Sequence, residues 1–213
     1  ENDVLSNFNR GLKMKVNSIG KVLKWNNTPN KGDNEETVKI KLIAYKRWSH
    51  MLTRVQSELY QQKMPTYKLC SVSEDWLDYD KFYIDFINTP FHWRKDYHFD
   101  KDILVKGNKI YEFGKCAMIP PKLNSLIYRP KAYNRDLPHG VTRCSYNSEH
   151  FIATIYRHGK NHMVCRSKDL FEVFNAYKLA KEDYIKEVTR QYEGLICDRV
   201  YDSLMNWEVE FDD

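Results

Sequence analysis

One short block of the chain concentrates residues able to do hydrolytic chemistry: Tyr97-His98-Phe99-Asp100-Lys101-Asp102-Ile103-Leu104, followed by Gly107-Asn108-Lys109. A histidine titrates near neutrality and suits proton transfer. Carboxylates and amide oxygens suit a hard divalent cation. Asp100 and Asp102 are two apart, so on a strand they would share a face. Such a set fits phosphodiester hydrolysis, which needs a base for water and a cation on the scissile phosphate. The alternative is structural: Asp100 and Asp102 bracket a turn, or pair with Lys101 and Lys109.

A second set of residues suits contact with a polyanion. Lys106 to Lys168 holds twelve basic residues against Glu112, Asp136 and Glu149, which leaves +9, while the rest of the chain carries −4 of the formal +5. Tyrosines are interleaved with these charges, and the chain has 15 of them. A concentrated basic block of this kind suits nucleic-acid phosphates; a solvated lysine-rich surface is the plain alternative.

The elements that must position these residues follow from periodicity. Apolar residues at spacings of three and four predict a helix over Lys39–Gln62, ended by Pro65, and a second from Ser73 or Glu74 to Ile87 with Ser73 as N-cap. Tyr97–Leu104 and Lys109–Tyr111 around Lys106-Gly107-Asn108 predict a hairpin. Pro120-Pro121 opens a short helix over Lys122–Ile127. Met14–Trp25 reads as a short hairpin, Asn26–Glu36 as a loop and Arg129–Pro138 as a linker.

Three strands are then expected, Gly140–Tyr146, His150–Arg157 and His162–Arg166, with turns at Asn147–Glu149 and His158–Asn161. Phe151, Ala153 and Ile155 should pack on a helix stripe of Val173, Phe174 and Tyr177, leaving Ile152, Thr154 and Tyr156 outward with Arg157 at the strand end. His162, Val164 and Arg166 should alternate in the same way. A long helix is expected over Asp169–Asn206, bent or broken at Gly194. The acidic end, Glu208 to Asp213, reads as a solvated tail or a contact for a basic partner.

Composition narrows the class. With 213 residues and 42% hydrophobic content the chain is long enough and apolar enough to fold around a core. Cys70, Cys116, Cys144, Cys165 and Cys197 form no CxxC pair, which argues against a zinc ribbon and for reduced, mostly buried thiols. No apolar run approaches the length that spans a bilayer.

Together with Tyr45-Lys46-Arg47-Trp48, Met51-Leu52-Thr53-Arg54, Pro65-Thr66-Tyr67 and Ile119-Pro120 followed by Asn124, the central block resembles phage HNH homing endonuclease-like proteins over most of residues 40 to 205. Residues 139 to 180 resemble an AP2-like DNA-binding module through His139-Gly140-Val141, Phe151 to Ile155 and Ala176-Tyr177. The first resemblance implies a ββα-metal unit holding Mg²⁺ or another divalent ion. In it His98 would be the base and Asp100 and Asp102 metal ligands, with Asn108 or Asn124 positioning the site. The chain departs from the family pattern because Phe99 separates His98 from Asp100 and no later histidine follows at helical spacing.

The second resemblance implies a sheet entering the major groove of double-stranded DNA, with Arg143, Thr154, Tyr156, Arg157, Lys160, His162 and Arg166 as contacts. The expected architecture is α+β, with an N-terminal segment (1–38), helices plus the HNH-like unit (39–128), and a three-stranded AP2-like sheet on a long C-terminal helix (139–206). The expected function is that of a phage DNA-binding protein in the host cytoplasm, acting as a metal-dependent DNA endonuclease. The alternative is a catalytically inactive protein of the same fold that binds DNA or inhibits a host protein.

Overall fold

A computed structural model describes residues 32–127 and 136–211. The expected N-terminal hairpin, most of the loop after it and most of the linker lie outside the described residues. The chain divides into two compact units, one ending at Met118 and the other beginning at Ile119.

The first unit is built on α1 (Glu35–Gln56). Asn34 caps its start by accepting from the Thr37 N–H at 2.8 Å, and Glu35 and Glu36 sit in the first turn, where the helix dipole favours negative charge. The expected single helix through Gln62 is interrupted. Ser57 adopts an extended backbone, and its hydroxyl accepts from the Tyr60 N–H to start the short α2 (Glu58–Lys63). Pro65 opens a single 3₁₀ turn through Tyr67.

A second 3₁₀ turn, Asp75–Leu77, precedes α3 (Tyr79–Ile87). The N-cap is Asp78 and not Ser73, because Asp78 accepts from the N–H groups of Asp80 and Lys81. The core between these helices is aromatic. Trp48 donates its indole N–H to the Trp76 carbonyl at 2.8 Å, and Trp76 donates to the Asp85 carboxylate at 2.8 Å. Trp76 meets Phe82 edge-on at 5.1 Å between ring centroids, and Trp48 meets Tyr79 at 5.4 Å.

Four short strands flank this core: β1 (Ser71–Val72), β2 (His98–Asp100), β3 (Ile110–Tyr111) and β4 (Ala117–Ile119). The expected hairpin between 97–104 and 109–111 is replaced by different pairings. β2 pairs with β4, and β3 pairs in parallel with β1. The two segments instead approach through side chains of the intervening loop, described below.

The second unit is α+β, as expected. After α4 (Pro121–Ile127) come β5 (Val141–Cys144), β6 (Asn147–Arg157) and β7 (Lys160–Ser167), an antiparallel sheet in the order β5-β6-β7. The β6–β7 turn is only His158-Gly159, with φ of 53° and 79°, the left-handed pair that a tight hairpin needs. The preceding turn falls at Ser145-Tyr146, earlier than expected, so β6 begins at Asn147.

One face of the sheet packs on α5 (Leu170–Arg190), which buries Val173, Phe174, Tyr177, Ile185 and Val188. Asp169 caps it, accepting from the N–H groups of Phe171 and Glu172. The long helix does break near Gly194, whose φ is 73°, and α6 (Asp198–Met205) follows. The acidic end is not a solvated tail where it is described. Val209 is buried, its N–H donates to Glu182 at 2.8 Å, its carbonyl accepts from Lys178 at 2.9 Å, and Phe211 packs edge-on against Phe174.

Candidate nucleic-acid interface

The loop after β2 closes on itself. One Asp100 carboxylate oxygen accepts from the backbone N–H groups of Asp102 and Ile103, both at 2.8 Å. Burial and the neighbouring Asp102 carboxylate push the Asp100 carboxyl up from its ordinary value, against the pull of those amides. Asp102 holds Lys101 with both oxygens, at 2.7 and 2.8 Å. Lys101 is almost wholly buried and donates also to the Asn108 carbonyl at 2.7 Å. The Asn108 side chain donates to the carbonyls of Lys101 and Ile110 and accepts from the Ile110 N–H.

This arrangement is the structural alternative for Asp100 and Asp102: a capped turn and a lysine pair. The Asn108 side chain bridges backbone groups of the same loop. Asn124 stands on α4, in the second unit, and its backbone N–H bonds the Pro120 carbonyl. The oxygens of Asp102 and Asn108 and one of Asp100 are engaged in hydrogen bonds within the loop. Among the described residues, no group of three or more His, Cys, Asp or Glu side chains could hold a metal ion.

His98 is exposed on β2. Partial burial, then Arg47 and Arg54, lower its pKa, and Asp100 opposes them. The ring is therefore neutral at physiological pH and competent as a base. Both arginines lie on α1, as does His50, whose pKa is lowered by burial and by Arg54, Arg47 and Lys46. Sequence reasoning passed over these three as site residues, although Arg47, His50 and Arg54 recur at helical spacing on one face.

The sheet distributes the expected DNA contacts over two faces. Ala153 and Ile155 are buried toward α5. The opposite face carries rows set by the register: Thr142, Ile152 and Arg166; then Thr154 and Met163; then Tyr156 and Asn161. The pairing skips Val164, a bulge that reverses side-chain parity along β7. His162 consequently pairs with Ile155 and lies on the side opposite Arg166, contrary to simple alternation.

Arg157 is also redirected. It pairs with Asp183 at 3.2 Å and with Glu187, both on α5, and sits over the Tyr184 ring. It therefore ties the hairpin end to the helix. Arg143 pairs with Asp136 and lies over Phe151. Arg166 instead stacks over the exposed Tyr146, 5.3 Å from the ring centroid. Among the described residues neither Arg166 nor Lys160 forms an ion pair. Thr154, Tyr156 and Arg143 line an open recess of about 580 Å³ at the β5 edge.

All five cysteines are free thiols, with Cys70, Cys116 and Cys144 buried. No helix among the described residues is long and apolar enough to cross a membrane. Compared with protein-family models, curated proteins and solved structures, the chain matches none.

Proposed function

We propose that the protein binds double-stranded DNA, with the sheet face opposite α5 as the contact surface. The observation that carries this reading is the pairing of Arg166 with Tyr146 on that face. The cation has no carboxylate partner among the described residues, and it lies over a tyrosine that is itself 79% exposed. Tyr156 and Thr154 extend the same face with hydrogen-bonding groups, while Lys160 at the hairpin end pairs in register with Arg157 and stands toward the α5 side. A small antiparallel sheet of this kind fits the major groove, where side chains reach base edges and lysines hold phosphates.

The test is a titration of labelled duplex DNA across a salt series, with wild type and Arg166→Ala. Each lost phosphate contact should reduce the slope of log K against log salt by about 0.9. Absence of binding at low salt, or a flat salt response, overturns the proposal. Exposed Met163 and Tyr156 would equally suit a protein partner, so failure to bind DNA would favour a host-protein target.

Phosphodiester hydrolysis is a second reading, and the neutral, exposed His98 beside Arg47 and Arg54 favours it. Plasmid nicking with Mg²⁺, Mn²⁺ or EDTA, compared between wild type and His98→Ala, tests it. Loss of a general base costs about 10²–10⁴ in rate. Nicking that survives His98→Ala overturns that assignment.

A further inference from the structure

We infer that Arg47, His50 and Arg54 on α1, with His98 on β2, form a phosphate-binding site in the first unit, distinct from the sheet face. Arg47 and Arg54 are seven residues apart, two turns of helix, with His50 between them on the same face. Arg47 is anchored beside His98, because it donates to the Lys95 carbonyl at 2.8 Å and to the carbonyl of Tyr97. Its Nε is buried without a hydrogen-bond partner among the described residues. Arg54 makes one long bond, 3.4 Å to the Tyr111 hydroxyl, and lies over the Tyr67 ring at 5.5 Å.

The two guanidiniums thus bond only to neutral oxygens, and among the described residues neither contacts a carboxylate. That is unusual, because half-buried arginines are ordinarily paired. The acidic groups facing them are already committed: Asp96 is held by Arg94 at 2.8 and 3.0 Å, and Asp100 by two backbone amides. Lys46 adds a further positive charge. What the site lacks is a compact anion with several acceptor oxygens, and a phosphate group supplies one that guanidinium forks bind in bidentate fashion. Resting on the DNA-binding reading, the phosphate is a backbone phosphodiester.

The test follows the His50 and His98 ring protons by NMR in the full chain during titration with inorganic phosphate, and separately with duplex DNA. A bound anion stabilises imidazolium, so phosphate should raise the pKa of both histidines. Arg54→Gln should abolish the response. His50→Glu, on the exposed helix surface, places a carboxylate in the site, and it should abolish the response of His98 without depending on a half-buried residue. Both variants should weaken duplex binding roughly tenfold or more and reduce the salt slope by about 0.9. Histidines unmoved by phosphate and by DNA overturn the site. A phosphate response with an unchanged salt slope overturns the phosphodiester assignment and marks a site for free phosphate. A wild type that binds phosphate but no DNA overturns the DNA-binding function alone.

Discussion

Substitutions at Asp102 and Lys101 should separate a metal ligand from a structural counterion. The Lys101 side chain is 6% exposed and that of Asp102 is 43% exposed. Asp102→Ala leaves a buried ammonium whose remaining hydrogen bonds are to neutral groups, the Asn108 carbonyl and the Cys70 thiol. Breaking a buried pair costs about 3–5 kcal/mol, and the partial exposure of Asp102 brings the expected loss down to roughly 2–3 kcal/mol. Lys101→Met leaves a carboxylate that can turn into water and an orphaned Asn108 carbonyl, so about 1–2 kcal/mol is expected. The order is the point: Asp102→Ala should cost more than Lys101→Met, and the double variant should cost less than the sum of the two. Urea unfolding followed by tryptophan fluorescence measures all three, since Trp48 and Trp76 lie in the adjoining core. Unchanged stability in Asp102→Ala refutes the reasoning. So would stabilisation by Mg²⁺ of wild type but not of Asp102→Ala, because a ligand that binds only the folded state must raise its stability.

Other expectations follow from the same geometry. Gly140 has φ of 80°, and a Cβ there would run into the Tyr177 ring, so Gly140→Ala should destabilise the second unit by about 2–4 kcal/mol in thermal unfolding. Arg157→Ala should leave DNA affinity nearly unchanged while lowering the thermal unfolding midpoint slightly; Arg166→Ala should do the reverse, and equal effects on binding would refute the assignment of faces. Removal of residues 207–213 strips Trp207, Val209 and Phe211 from the fold and should cost on the order of 3–5 kcal/mol, read by the loss of protected amides in α5. His50 and His98 have lowered folded pKa values, so the unfolded chain binds protons first. Stability should then fall as pH drops below the unfolded value of about 6.5. A His50→Gln/His98→Gln variant should flatten that dependence. Asp100, with a raised pKa, acts with opposite sign at lower pH, favouring the folded state until its folded-state proton is lost.

The helices and the three-stranded sheet were legible because burial there follows simple periods. Val173, Phe174 and Tyr177 on α5 and Ala153 and Ile155 on β6 lie on the expected faces. Boundaries were less legible, since they are decided by single side-chain hydrogen bonds. Ser57 ends one helix and caps the next, and Asp78 displaces Ser73 as a cap. The central hairpin failed for another reason. Lys106-Gly107-Asn108 does form a turn, but Lys101, Asp102 and Asn108 close it through side chains. The flanking strands are thereby left to pair elsewhere, with β4 and β1.

The candidate binding residues were legible by type and less so by direction. Period-two alternation correctly separates Thr154 and Tyr156 from Ala153 and Ile155, because β6 runs unbroken through those positions. On β7 the bulge at Val164 shifts the count by one, and no residue type there announces it, so His162 leaves the face that Arg166 keeps. Arg157 differs again: its backbone lies where expected, but its head group is drawn to Asp183 and Glu187 on a helix 26 and 30 residues later in the chain. A long cationic side chain follows the nearest carboxylates, and on this sheet they stand on the helix side. Arg143 follows Asp136 by the same rule. Among the described residues, Arg166 and Lys160 on the sheet and Arg47 and Arg54 on α1 are cations without a carboxylate partner, and the first two belong to the segment where sequence charge is densest.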